Sequence, residues 1–241
     1  MRRSLLAALT LSACAILVAV PAGAADKKEL TEKAALQKVG EYVGEWKANG
    51  KTKLTGKETF WKETLTMGWK FKDGTSAIAL EIKDGKFYTS GVINYDTEKK
   101  VYKLVITDKD KKAVPFDGTL VKGNLVFTRT DADSGDVQKL TLYTVADGAR
   151  IVVKSEVQSK GKGLFSEQFS LAGNKEGESF AGGGGAGGGS RRPECIVTGG
   201  AGTMQVAFGG KTYYVCCSGC REEFEANPKK YVDAFEKAAK K

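Results

Sequence analysis

Between residues 59 and 171 apolar and polar side chains alternate in short runs, at 59–71, 75–82, 86–95, 101–107, 124–130, 137–145, 150–157 and 165–171. A period of two is the mark of strands with one buried face. Turn-forming pairs separate most of the runs, among them Asp73-Gly74, Asp84-Gly85, Gly123-Asn124 and Asp147-Gly148. Eight or nine antiparallel strands in succession, with no helix between them, predict a sandwich or an up-and-down barrel. Ahead of them, 27–39 places Leu30, Ala34, Ala35 and Val39 on one stripe and predicts a short amphipathic helix. Inward-facing positions are expected to include Trp61, Trp69, Phe87, Tyr95, Tyr102, Phe127 and Tyr143. That aromatic area suits either a packed core or the lining of a cavity for a small apolar ligand.

The pattern breaks at 181–190, Ala-Gly-Gly-Gly-Gly-Ala-Gly-Gly-Gly-Ser, which has no large apolar side chain to pack. Such a coil reaches roughly 15–19 Å, so the segment beyond it is expected to move relative to the β-domain. In that segment Met204-Gln205-Val206-Ala207-Phe208 and Thr212-Tyr213-Tyr214-Val215-Cys216 predict a hairpin turning at Gly209-Gly210. A helix is expected near Cys220, capped by Ser218 or Gly219. A second follows, with Asn227 as cap, Pro228 in its first turn and Tyr231, Phe235 and Ala238 on one face. At the other end of the chain, residues 1–24 have the form of an export signal: Arg2 and Arg3, an apolar stretch, then Ala22-Gly23-Ala24 before the expected cut. An exported protein, periplasmic or secreted, follows. Leu11-Ser12-Ala13-Cys14 resembles a lipoprotein box, but the residues after Cys14 stay apolar, which favours ordinary cleavage.

Composition narrows the chemistry. The formal charge of +9 falls to +7 without Arg2 and Arg3, and the remaining lysines are scattered among acids, with no basic block for nucleic acid. No later stretch is long and apolar enough to span a membrane. Histidine is absent, which removes His-based acid–base catalysis, Ser-His and Cys-His nucleophiles and mixed His/Cys zinc sites. No paired carboxylates stand out, so an enzyme is not expected. What remains is sulfur: Cys195, Cys216, Cys217 and Cys220.

The spacing C-x(20)-C-x(3)-C can bring three thiolates around one ion at about 2.3 Å, with Cys217 as an extra sulfur. All-sulfur ligation selects soft or borderline ions, Zn(II) or Cu(I), and also Cd(II) or Hg(II). A module near 50 residues needs a staple. Structural zinc supplies about 10–16 kcal/mol at neutral pH, against about 3 kcal/mol for one disulfide closing such a loop. Export keeps the alternative open, since Cys217–Cys220 and Cys195–Cys216 bridges are conceivable in an oxidising compartment. Thiol–disulfide exchange through Cys217 and Cys220 is a further, less favoured reading.

Cys195-Ile196-Val197-Thr198-Gly199-Gly200, the run from Gly210 to Cys220, and then Phe224, Pro228 and Tyr231 resemble the YHS/TRASH domain. The resemblance implies a small treble-clef-like α+β module for heavy-metal binding, sensing or trafficking, with Cys195, Cys216 and Cys220 as ligands. Many relatives carry a histidine where Gly219 stands, so a fourth ligand would be Cys217, a carboxylate, water or a bound partner. Gly44-Glu45-Trp46 after a helix is similar to the first strand of lipocalin-like (calycin) barrels, where the tryptophan plugs one end. The expected organisation is thus a signal at 1–24, a mainly β lipocalin-like antiparallel barrel at 25–180, a linker at 181–190 and a metal-binding module at 191–241. The rival is a carrier of a small apolar ligand with a purely structural tail. No protein partner is implied.

Overall fold

The computed structural model describes residues 30–54, 56–176 and 193–239. The expected signal at 1–24, Cys14 and the linker at 181–190 lie outside them.

The β-domain is a closed antiparallel barrel of ten strands, each beside its sequence neighbours, with the last strand closing on the first. The strands are β1 Gly44–Thr52, β2 Thr59–Lys72, β3 Thr75–Lys83, β4 Tyr88–Asp96, β5 Val101–Asp108, β6 Ala113–Val121, β7 Asn124–Thr130, β8 Val137–Val145, β9 Arg150–Gln158 and β10 Ser166–Lys175. The eight runs expected from alternation each match a strand within a few residues, while β1 was expected only through Trp46 and β6 was not expected at all. Lipocalin barrels have eight strands, two fewer than this one. Tight reversals carry the expected residues in left-handed conformation, with φ of 48° and 79° at Asp73-Gly74 and 50° and 85° at Lys122-Gly123.

Alternation sets the interior. Along β3, Ser76, Ile78, Leu80 and Ile82 point inward, and along β8 Leu140 and Leu142 do so. Trp69, Tyr102 and Phe127 are buried as expected, while Trp61, Phe87 and Tyr95 are partly buried against the core. Tyr143 is a correction: it follows Leu142 on β8, so the pleat turns it to the outer face.

One end of the barrel is plugged from the chain's own start. Helix α1, Glu32–Gln37, is capped by the Thr31 hydroxyl, which accepts from the Ala34 N–H at 3.2 Å. It is shorter than the helix expected over 27–39, whose first residues lie outside those described; a 3-10 turn, Gly40–Tyr42, follows. Trp46 is fully buried beneath this turn, donating Nε1–H to the Tyr42 carbonyl at 2.9 Å. Tyr42 donates to the Leu142 carbonyl at 3.0 Å and Tyr102 to the Ala35 carbonyl at 2.9 Å, which ties plug to wall.

Aromatic rings close the opposite end, where Phe87 stacks on Phe169 at 4.6 Å and Trp61 meets Phe87 edge-on at 5.5 Å. Beside them Glu63 is buried, accepting from Trp61 Nε1 at 2.5 Å and the Lys86 N–H at 3.3 Å. Burial pushes its carboxyl pKa up, against the pull of those two bonds. Only about 40 Å³ of free interior remains among Glu63, Leu65, Met67, Phe87 and Phe169. Sites for drug-sized ligands run to about 300–1,000 Å³. The interior is occupied by side chains.

Candidate metal centre

The C-terminal module begins with a tight turn. Cys195 N–H donates to the Gly200 carbonyl at 2.6 Å and Gly199 N–H to the Cys195 carbonyl at 2.8 Å, with Gly199 at φ 76°. Hairpin β11 Met204–Phe208 and β12 Lys211–Val215 turns at Gly209-Gly210, as expected. Cys195 bridges to Tyr214 of β12, and Ile196 N–H donates to the Tyr214 carbonyl at 2.9 Å. The turn is therefore pinned beside the end of β12, from which Cys216 emerges. Helix α2, Ser218–Ala226, buries Cys220 in its first turn, where the sulfur meets that of Cys216, and α3 is Pro228–Ala239. Phe224, Tyr213 and Phe235 pack beneath, with Tyr213 6.0 Å from Phe224 and 6.3 Å from Phe235.

Three segments thus deliver three sulfurs. The Sγ atoms of Cys195, Cys216 and Cys220 lie within 4.8 Å of one another, and those of Cys216 and Cys220 are 3.4 Å apart. A tetrahedral ion with bonds of about 2.3 Å needs sulfurs roughly 3.8 Å apart, within that spread. Cys195 and Cys220 are buried and Cys216 is half-buried. The Thr198 hydroxyl lies 3.6 Å from Cys216 Sγ. No disulfide joins the described cysteines.

Cys217 is placed differently. Its Sγ is 4.0 Å from that of Cys216 but is turned towards the barrel, where it accepts the Trp69 N–H at 3.3 Å. The reason lies in the barrel's register. Strand β1 begins at Gly44, opposite Met67, so residues 68–72 of β2 have no β1 partner and the Trp69 amide is left at an open edge. The module covers that edge. A Cβ at residue 219 would overlap the Trp69 carbonyl oxygen, so the backbone of β2 occupies the space a side chain would need. This explains why position 219 holds glycine.

Two bonds from α1 complete the docking: Lys33 Nζ donates to the Val197 carbonyl at 2.7 Å and Gln37 Nε2 to the Thr198 carbonyl at 2.6 Å. The module sits on the plugged end of the barrel, contrary to the mobility expected from the linker's composition. Its seat also supplies charge. Burial lowers the Lys33 pKa and Lys230 adds to this, while Cys220, Glu223 and Cys195 oppose both, so a cation faces the sulfurs. Spacing within the cysteine motif could not reveal Lys33, Gln37 or Trp69; Gly219 was the one local sign.

The four thiols shift one another's pKa. Cys195 is held well below the ordinary thiol range, first by the Cys216 S–H and then by that of Cys220, and Cys217 is lowered by the same two donors. Cys216 and Cys220 are pushed up, each chiefly by its contact with Cys195. The cluster can replace thiol protons by a thiophilic cation.

No protein-family model and no curated protein matches this chain.

Proposed function

We propose that the protein binds one soft metal ion, Zn(II) or Cu(I), through the Cys195, Cys216 and Cys220 thiolates, and serves in metal handling or sensing rather than catalysis. The observation that carries this reading is the convergence of three largely buried sulfurs from a turn, a strand end and a helix start. Cys217, in contact with both Cys216 and the barrel, is the nearest further sulfur for the fourth position. The ion would supply a cross-link between turn, hairpin and helix, and Lys33 would offset the negative charge of a metal–thiolate centre.

The turn, hairpin and helix around the cysteines support membership of the YHS/TRASH-like group and its treble-clef-like form. A lipocalin-like kinship for the barrel rests on the buried Trp46 plug. The apolar leader supports export to the periplasm or beyond. Among the described residues no helix is long and apolar enough to cross a membrane.

The test is elemental analysis with thiol counting on the protein taken from its native compartment, beside Cys195→Ser. About one equivalent of zinc or copper per chain is expected, disappearing in the variant. Metal-free protein with all four of these cysteines oxidised would refute the reading.

A further inference from the structure

A cleft of about 280 Å³ runs between the barrel's plugged end and the cysteine-bearing turn. Gln37, Glu41, Trp69 and Asp147 line its barrel side, and Thr198 and Cys216 its module side. The sulfurs differ in their access to it. Cys195 and Cys220 are 1% and 0% exposed, whereas Cys216 is half-buried and forms part of the wall. Residues Ile196 and Val197 are buried behind Cys195, and the contact of Gly219 and Cys217 with Trp69 covers the β2 side.

We propose that this cleft is the loading port of the centre, through which a soft cation arrives on a small polar carrier and meets Cys216 first. The inference rests on the metal-binding reading above. Glu41 and Asp147 line the cleft beside Lys175, whose Nζ donates to the Glu41 carbonyl at 3.4 Å, so its wall is polar and of mixed charge, and the volume admits a small chelate rather than a protein loop. Exchange then proceeds one bond at a time. A metal–carrier bond breaks as the Cys216 sulfur–metal bond forms, and the thiol proton passes to the released donor atom or to water. Cys220 and Cys195 displace further carrier bonds in the same way, each passing its proton to the released donor atom or to water.

Two glycines allow the port to be blocked without disturbing the fold. Gly40 and Gly200 both line the cleft. A Cβ at Gly40 meets nothing within 4 Å, and at Gly200 its nearest neighbour is the Thr198 hydroxyl at 3.8 Å, with neither residue at positive φ. Gly163, at the opposite end of the barrel, is equally unobstructed and serves as control.

The experiment mixes fully reduced, full-length protein with the Cd(II)–nitrilotriacetate complex and follows thiolate–cadmium absorption by stopped flow. Gly40→Trp and Gly200→Phe are each expected to slow loading by about tenfold or more, with unchanged end-point stoichiometry, while Gly163→Trp loads like the wild type. In parallel, iodoacetamide labelling of the metal-free protein, read by mass spectrometry, should modify Cys216 faster than Cys195 or Cys220, and both cleft variants should protect it. Equal loading rates in wild type and cleft variants, or faster labelling of Cys195 or Cys220 than of Cys216, would overturn the port. Failure of the wild type to take up cadmium at all would overturn the metal-binding reading itself, and the port with it.

Discussion

Replacing Gly219 by alanine adds one methyl group at the point where the module lies on the barrel. That methyl would overlap the Trp69 carbonyl oxygen, a backbone atom of β2 that cannot retreat without distorting the wall, so the module must withdraw. Withdrawal breaks Gln37 to Thr198 and Trp69 N–H to Cys217 Sγ, each worth about 0.5–1.5 kcal/mol, and Lys33 to Val197, a charged donor worth about 1.5–3 kcal/mol. Since Lys33 is only half-buried, the lower part of the sum applies, roughly 3 kcal/mol, which is a factor of about 100 in the docked population. Hydrogen exchange reads this directly. The Trp69 amide has no β1 partner, so its protection reports the Cys217 contact. In Gly219→Ala that protection should fall by about 100-fold while core amides such as that of Ile78 keep theirs. Undiminished protection at Trp69 in a folded Gly219→Ala protein would refute the docking argument.

Other outcomes follow from the same contacts. Cys217→Ala should retain about one equivalent of metal by elemental analysis, because the three converging sulfurs remain, yet lose Trp69 amide protection. Metal should be released as pH falls, since protons compete for the thiolates; a chelator-competition titration across pH should show affinity falling on the acid side. Glu63→Gln should raise the melting temperature at neutral pH. A carboxyl whose folded pKa is raised contributes stability that is complete below its ordinary value of 4.5 and lost as pH rises through the folded value, so the gain should vanish in acid. Trp46→Ala, which empties the fully buried plug, should cost about 3–5 kcal/mol in urea unfolding of the barrel.

The barrel was legible wherever alternation was clean. It failed at β6, where Pro115 interrupts the inward pair Val114 and Phe116 and argues against a strand. The structure accommodates the proline because β6 pairs with β7 only from Asp117 onward, so on that side the imide nitrogen has no ladder bond to lose. In β1 the inward positions are Trp46, Ala48, Gly50 and Thr52, too slight an apolar pattern to stand out; Gly50 is small because the Trp61 ring fills its place. The hairpin was legible from its Gly209-Gly210 turn and the last helix from Pro228, whereas the helix at Cys220 begins at Ser218 with Cys217 as its N-cap, not Ser218 or Gly219 as expected, and no side chain caps it. Their seat on the barrel was not legible. Lys33 and Val197 are far apart in the chain, and a single lysine-to-carbonyl bond leaves no periodic trace.

Docking changes what the glycine linker is for. A free module of this size would rely on its ion for most of its stability. Here the barrel contributes an open strand edge to one cysteine, a cation facing the sulfur cluster and two donors to the turn that carries Cys195. Part of the outer shell that a bound ion would need is therefore in place around the sulfurs. Contacts of that kind orient first ligands and raise affinity by holding them near their bound positions. The cost falls on access, because a module seated on three contacts buries two of its three converging sulfurs. Cys216, left on the wall of the cleft, reconciles a largely prearranged site with an exchangeable ion.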